Sequence, residues 1–553
     1  MSISKKVFVF LSLTYFVIEF YIWYATNGIP GMKDQTEPFM AYLAGLNFAR
    51  FGLFNLSFVA DYASGSDPAA HPYYYTHNPA FPMYICYVLI KTGITDIRFH
   101  NLIGVFFQFA GLMFSYLYIR SKLNNRLALC LLGLSVFNYL GVVIYGNNIF
   151  RSISWFCVWG TLYFAHLWQI QKKPVNLYFV LAVIFLFLTV YFEISIAVFV
   201  VSYLLFDKFL DWQKYRLKPL LFMLFLGTFL PLLIHTINVA NAIGLDTLIK
   251  DFTYTLGNRT IGIPSRPEME KFYAENGIVL WGYTMDFNYS FIIYSIKLAI
   301  TRISQSLGTG TFWLVSGCFS FALTTIILRC LRIIRIKETL NTELKVILAL
   351  ILALICTACI LPAQFVFVHV GPFAPLIIFA FGVPQAFLLS KLIELTLSRA
   401  GKWAEIRNKK WAFVLVGYLF YFIFIQMQGL KAEPIETLPA RHVLEKEEYK
   451  GRSFITNFLY AYPGYFTGEW ANTKWTSYDP SNIGSVNYLW ERDKFVNREK
   501  YEKPDFALCM DTYNDMTRNI SGDMFSTYRI VEEGKSFYIF DLREPLRTTL
   551  RSF

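Results

Sequence analysis

The sequence predicts an α-helical polytopic membrane protein, with helices in its outer-face loops and a small C-terminal α/β domain. Three observations carry that prediction. Of 553 residues, 55% are hydrophobic and 16% charged, where a soluble chain carries roughly 25% charged residues. Apolar runs of about 18 to 22 residues recur through the first 430 positions, each long enough to cross the hydrocarbon core as a helix. Basic residues gather in short stretches between those runs, the charge asymmetry of cytoplasmic loops. The net charge of +12 is therefore explained by membrane topology, and no nucleic-acid partner is expected.

The basic clusters set the topology. Lys5/Lys6, Arg120/Lys122/Arg126, Lys172/Lys173, Lys208/Lys214/Arg216/Lys218, Arg329/Arg332/Arg335/Lys337 and Arg399/Lys402/Arg407/Lys409/Lys410 are all expected on the cytoplasmic side. Spans near 7–26, 98–119, 127–146, 149–169, 175–190, 194–206, 217–237, 308–329, 344–361, 372–396 and 411–429 put every cluster inside and the tail outside, about eleven crossings in all. The first run, ending near Ala25, is long and lacks a small-residue cleavage site, so it is an uncleaved span rather than a signal peptide. Residues 79–93 are apolar but short and open with Pro79-Ala-Phe-Pro82, which predicts a re-entrant or interfacial helix. The run 175–206 is too long for one helix and has basic clusters at both ends. It must turn near Tyr191-Phe-Glu193, leaving Glu193 at the outer surface or in a cavity.

Residues 1–430 are accordingly expected to form a transmembrane catalytic domain with outer loops at 27–97 and 238–307. Residues 431–553 carry frequent charges of both signs and no span-length apolar run. Short strand-like runs at 453–459, 505–510 and 536–540 predict a soluble outer-face α/β domain there. Cys86, Cys130, Cys157, Cys318, Cys330, Cys356 and Cys359 lie in or beside apolar segments and only Cys509 in the tail, so no disulfide framework is implied. Cys356 and Cys359 form a C-x-x-C inside a hydrophobic run, a helix-packing context. No internal repeat suggests a secondary transporter.

The first candidate for chemistry is the acidic pair Asp34 and Glu37, just beyond the first span. A spacing of three puts both carboxylates on one side of a helical turn, where either could take a proton from an acceptor or ligate a divalent metal. Acids also favour a first helical turn for electrostatic reasons alone, and both readings stay open. An amphipathic pattern follows, with Phe39, Leu43, Leu46, Phe48 and Ala49 interrupted by Asn47 and Arg50, expected to lie along the bilayer surface. In Tyr73-Tyr-Tyr-Thr-His77-Asn78-Pro79, His77 is a candidate metal or phosphate ligand. Glu193, an acid at membrane depth, is a functional candidate by its cost. Arg259 and Arg266 in the second outer loop and Arg302 beyond it are candidates to clamp a phosphate with paired N–H donors. Sequons at Asn55, Asn258, Asn288 and Asn519 all fall on the expected outer side.

An acid after the first span, a helix ending Asn47-Phe-Ala-Arg-Phe-Gly52, and Thr-His-Asn-Pro-x-x-Pro opening an apolar helix together resemble the GT-C superfamily of integral-membrane glycosyltransferases. Within it the chain is similar to the bacterial branch related to protein O-mannosyltransferases and lipid A aminoarabinose transferases. The motif matches lie within 34–93, while the plan of eleven to thirteen spans with an outer C-terminal domain covers the chain. The resemblance implies a sugar carried on a polyprenyl phosphate and a site on the outer, periplasmic face of a bacterial inner membrane. It implies an essential carboxylate about ten residues before Asn47, hence Glu37 first and Asp34 second, although the family usually has Asp there. His77 and Asn78 stand where relatives hold metal or lipid phosphate, which makes Glu37 and His77 the candidate ligands of a divalent metal (Mg, Mn or Zn). Asn148 stands where many relatives have Asp, with Arg151 nearby as a phosphate contact. Glu193 matches a polar position, and His369, in a Pro-flanked segment that usually begins Arg-Tyr, is the remaining polar contact.

The function expected on this basis is transfer of a hexosyl or pentosyl group from a polyprenyl-phosphate donor to a glycan, lipid or protein acceptor, with inversion. The competing classes are a lipid or glycan flippase or transporter, and a non-catalytic GT-C-like scaffold.

Overall fold

A computed structural model describes residues 3–25, 36–62, 74–137, 148–171, 175–210, 217–260, 338–361, 374–397, 441–444, 446–452, 454–456, 505–510, 528–534 and 537–545, with isolated positions between them. The helices are α1 (Ile3–Ala25), α2 (Thr36–Phe51), α3 (Phe81–Lys91), α4 (Ile97–Lys122), α5 (Asn125–Val136), α6 (Ile149–Gln171), α7 (Leu177–Phe192), α8 (Ile194–Leu210), α9 (Leu217–Ile243), α10 (Leu245–Thr260), α11 (Glu338–Ile360), α12 (Ala374–Leu397) and the short α13 (Arg441–Leu444). Among the described residues, Ser4–Ala25, Ile97–Lys122 and Leu217–Ile243 are helices long and apolar enough to cross a bilayer. Helices occupy most of the expected spans, while 308–329 and 411–429 lie outside the described residues apart from isolated positions.

The chain divides into two compact units. The first comprises Met1–Pro30, Arg98–Ile234 and Phe287–Glu433. Two of its helices begin where asparagine supplies a cap: Asn124 accepts the Leu127 N–H of α5 (2.9 Å) and Asn176 the Phe179 N–H of α7 (2.9 Å). Each such cap satisfies an N–H that the helix itself cannot. α6 packs on α7, α11 on α8, and α12 on α5. At the ends carrying the basic clusters, Lys122 pairs with Asp207, and the Tyr118 and Tyr203 hydroxyls meet at 2.6 Å. Glu343 of α11 accepts from Asn124 (3.1 Å) and pairs with Lys391 (3.2 Å). The turn expected in 175–206 is a one-residue break: α7 stops at Phe192, Glu193 is extended (φ −156°, ψ 111°), and α8 starts at Ile194.

The second unit comprises Gly31–Ile97, His235–Asp286 and Pro434–Phe553. Here one expectation is corrected. α2 is not an amphipathic surface helix with a single covered face, because Phe39, Met40, Ala41, Leu43, Ala44, Asn47 and Phe48 are all buried. The reason lies in its small residues. At Gly45 even a Cβ would sit 2.7 Å from the Cys86 side chain and 2.9 Å from the Tyr87 nitrogen of α3. The expected apolar helix after Pro79 is α3, started by Pro82 in its first turn, and it packs tightly on α2.

Two short strands, β1 (Ala60–Asp61) and β2 (Tyr74–Tyr75), pair antiparallel. The tail forms a separate four-stranded sheet from β3 (Phe454–Thr456), β4 (Phe506–Met510), β5 (Tyr528–Gly534) and β6 (Phe537–Pro545), ordered β3-β4-β6-β5. β3 and β4 run parallel and the other pairs antiparallel. The three strand-like runs are β3, β4 and β6. The edge strand β5 was not among them, since Arg529, Glu532 and Glu533 obscure its alternation.

Candidate active site

In the second unit, β2 is pinned on two sides. Tyr74 pairs with Asp61 of β1 and forms a parallel bridge to Ile278. That fixes the segment leading to Thr76, His77 and Asn78, all three buried. Asn78 donates to the Tyr75 hydroxyl (3.0 Å), and His235, eight residues before the end of α9, holds the Thr76 carbonyl oxygen through Nε2 (2.8 Å). The Tyr75 and Tyr273 rings lie edge-on to the His77 imidazole, at 5.7 and 6.0 Å between centroids.

The imidazole meets a carboxylate from another loop. Asp251, on the covered face of α10 and only 3% exposed, places Oδ1 3.6 Å from His77 Nε2. The separation is that of an ion pair rather than a hydrogen bond. The same oxygen accepts the Tyr273 hydroxyl (2.8 Å) and the Thr255 hydroxyl (3.4 Å). Burial pushes the Asp251 carboxyl up, but His77 and the Tyr273 hydroxyl outweigh it, and the group lies below the usual aspartate value. Among the described residues, neither nitrogen of His77 has a hydrogen-bond partner, although both are buried.

That donor set bears on a metal. One imidazole and one carboxylate suit a borderline divalent cation, and the unfilled hydrogen-bonding capacity of His77 suits a further ligand. Among the described residues, no group of three or more His, Cys, Asp or Glu side chains could hold one. The pair supplies two donors, fewer than a protein-held cation needs, so the described residues alone do not make a cation site. Asp251, Tyr273 and His235 were absent from the sequence-based candidates. The available signal was an acid at position 251 between Leu248 and Tyr254–Thr255, in the middle of what becomes the covered face of a helix.

The first unit holds a different cluster. Asn148, in place of the acid expected from the resemblance, caps α6 by accepting the Arg151 N–H (3.2 Å). Asn101 accepts the Ile149 N–H (3.5 Å) and donates to the Gly28 carbonyl oxygen (3.0 Å). Arg151 is 4% exposed, its guanidinium 5.4 Å from the Phe150 ring centroid. Phe150 meets Phe192 edge-on, with ring centroids 5.0 Å apart, so the start of α6 and the end of α7 share one end of the unit. Glu193 is buried there and accepts from the Ser195 hydroxyl. A helix N-terminus beside a buried arginine is favourable for an anion.

The structure therefore groups His77 with Asn78, and Arg151 with Glu193. Glu37 occupies the first turn of α2 and Arg259 the last turn of α10. Their side chains, together with Asp34, Arg266, Arg302 and His369, lie outside the described residues.

No protein-family model matches the chain, and no curated protein matches it in sequence. Solved structures do match it. ArnT from Cupriavidus metallidurans bound to undecaprenyl phosphate aligns over 96% of this chain and 97% of its own, with 12% identity and a TM-score of 0.51. The archaeal oligosaccharyltransferase AglB from Archaeoglobus fulgidus, in complex with an inhibitory peptide and a dolichol-phosphate, covers 97% and 74%, with 13% identity and a TM-score of 0.55. The Archaeoglobus fulgidus oligosaccharyltransferase complex with Zn and sulfate covers 96% and 72%, with 12% identity and a TM-score of 0.52. The chain shares the GT-C-like, polytopic helical fold of these structures.

Proposed function

We propose that the chain is a membrane glycosyltransferase that moves a sugar from a polyprenyl-phosphate carrier to an acceptor on the outer face of the membrane. One observation carries the reading furthest: His77, two residues before Pro79 and buried among aromatics, lies 3.6 Å from the buried carboxylate of Asp251 on α10. A fold shared with proteins solved with undecaprenyl phosphate or dolichol-phosphate supports a lipid-linked donor of the same kind. Residues 1–430 would supply the membrane part and 431–553 the outer domain, with the site facing the periplasm of a bacterial inner membrane.

In this mechanism Glu37, with Asp34 as the alternative, takes the proton of the acceptor as its nucleophilic atom attacks the anomeric carbon. The bond from that carbon to the lipid-phosphate oxygen breaks, and the electron pair leaves with the phosphate. Phosphate needs no protonation to depart, so a single displacement inverts the centre, unlike hydrolases that flank the bond with two carboxylates. Asn78 and His77 orient the phosphate, with Arg259 and Arg266 of the same unit as cationic contacts. A divalent cation held by His77, Asp251 and Glu37 would neutralise phosphate charge as a Lewis acid. The experiment is purified protein in proteoliposomes with radiolabelled polyprenyl-phosphate sugar. Transfer of label to an acceptor supports the enzyme, movement of intact donor across the bilayer supports a flippase, and neither outcome leaves a scaffold.

A further inference from the structure

The turn that follows α2, in the second unit, departs twice from ordinary backbone geometry. Gly52 ends the helix at φ +90°, a conformation that glycine takes without strain. Further on, the adjacent residues Ser57 (φ +50°) and Phe58 (φ +59°) are left-handed as well. For a bulky side chain such as phenylalanine that conformation is a genuine outlier. Strain of this kind persists only where the surroundings over-determine it, and it gathers at ligand clamps and functional turns.

The bracing contacts are on the page. The Phe58 N–H donates to the Leu53 carbonyl oxygen (2.9 Å), the Ser57 N–H to that of Phe54 (3.0 Å) and the Val59 N–H to that of Leu56 (2.9 Å). Asn55 donates through Nδ2 to the Phe51 carbonyl oxygen (2.8 Å), and the Tyr84 hydroxyl of α3 donates to that of Phe58 (2.5 Å). Leu56 and Val59 are buried beneath. What the bracing displays is one ring. Phe54 is 83% exposed, and the Phe58 ring holds it edge-on, with centroids 5.0 Å apart and planes at 78°.

The turn also has a fixed address. Ala60 pairs with Tyr75 in the antiparallel β1–β2 ladder, so the residues before Ala60 run beside those after Tyr75. Phe58 and His77 therefore leave the ladder at the same end, and Tyr84 ties Phe58 to the helix that follows His77.

Burial of Phe54 would be the favoured outcome for an apolar ring, yet the strained turn holds it out in water. In residues 52–59 it is the one large apolar side chain that is exposed, while Leu53 and Phe58 are half-buried. An acyl chain or an apolar peptide segment needs a groove of several such side chains. A single flat face with Asn55 and Ser57 at its rim suits a pyranose. The ring C–H groups of the sugar rest on the negative face of the aromatic, and its hydroxyls meet the polar rim. Exposure also separates the two sugars of a transfer reaction. A donor sugar reacts in a water-excluded site, whereas so open a ring serves a ligand arriving from solution.

We infer that Phe54 is a stacking platform for a sugar ring of a carbohydrate acceptor, beside the segment that carries His77. The acceptor role rests on the proposed glycosyl transfer, whereas the binding of sugar does not.

The test is binding of the purified chain, in lipid nanodiscs, to an array of oligosaccharides and peptides. Native protein is compared with Phe54→Ala, Phe54→Leu and Phe54→Trp, each checked for monodisperse elution. The native chain and Phe54→Trp should bind at least one oligosaccharide. Phe54→Ala and Phe54→Leu should bind it at least tenfold more weakly, because leucine restores apolar area but not a flat face. No oligosaccharide binding by the native chain, equal binding by Phe54→Leu, or Phe54-dependent capture of peptides instead overturns the inference. The array reads no transfer, so the two readings fail separately. Sugar binding by a chain that transfers no label removes the enzyme alone, and transfer with full sugar binding in Phe54→Ala removes the platform alone.

Discussion

The two buried polar clusters are built in opposite ways. In the first unit the contacts to Arg151 and Glu193 are local, with Asn148 capping the turn that carries Arg151 and Ser195 bonding Glu193 two residues before it, while Asn101 adds a more distant tie to Ile149 and Gly28. In the second, His235 reaches Thr76 across 159 positions, and His77 meets an acid from a separate loop. A local cluster survives as long as its helix does. One assembled from distant segments depends on every segment arriving, so each of its members carries more of the local stability.

The largest difference is expected at Asp251. Asp251→Ala strips an ion-pair partner from His77 and an acceptor from two hydroxyls, and each buried orphan costs about 1–3 kcal/mol. The apparent melting temperature in detergent should fall by several degrees. Asp251→Asn, which keeps an acceptor for Tyr273, should cost less. In the first unit Glu193→Gln retains an acceptor for Ser195 and should shift melting little. Equal losses from Asp251→Ala and Glu193→Gln would remove the contrast.

Next comes packing. Gly45→Ala drives a Cβ to 2.7 Å from Cys86, and overpacking of this kind costs about 1–3 kcal/mol. An unchanged melting temperature would mean that α2 and α3 are not in close contact. Smaller still is the cap. Asn148→Ala should cost about 1 kcal/mol and Asn148→Asp almost nothing, because either acid or amide oxygen accepts the Arg151 N–H.

The smallest effect is in pH. Folded Asp251 titrates below its unfolded value of about 3.9. Its stabilisation is therefore complete above roughly pH 4 and lost as pH falls through the folded value. Melting curves of the native chain and of Asp251→Asn should converge below that window and separate above it. A constant gap at all pH values would show that the charge of Asp251 contributes nothing.

How much was legible follows from the same contrast. Hydrophobic runs are local, so α1, α4, α6, α9, α11 and α12 match spans read from composition. The break at Glu193 was legible because 175–206 exceeds one helix between basic flanks. α2 was misread as amphipathic because a helical pattern records which residues are apolar, not how closely a partner approaches, and Gly45 lets α3 pack directly against it. His77 and Asn78 stood out through their proline-rich setting. Asp251 did not, since nothing within its own loop marks it until His77 arrives beside it. Asn148 looked like a lost acid, and the structure gives it a different task, the cap of α6.

The central claim is transfer from a lipid-phosphate donor by a carboxylate at the start of α2. Its most direct measurement is label transfer from polyprenyl-phosphate sugar in proteoliposomes by the native chain, Glu37→Gln, Asp34→Asn and the double variant. The account predicts transfer by the native chain and a loss of about 10²–10⁴-fold in Glu37→Gln, with Asp34→Asn carrying that loss if it is the base instead. Full activity in the double variant would contradict it.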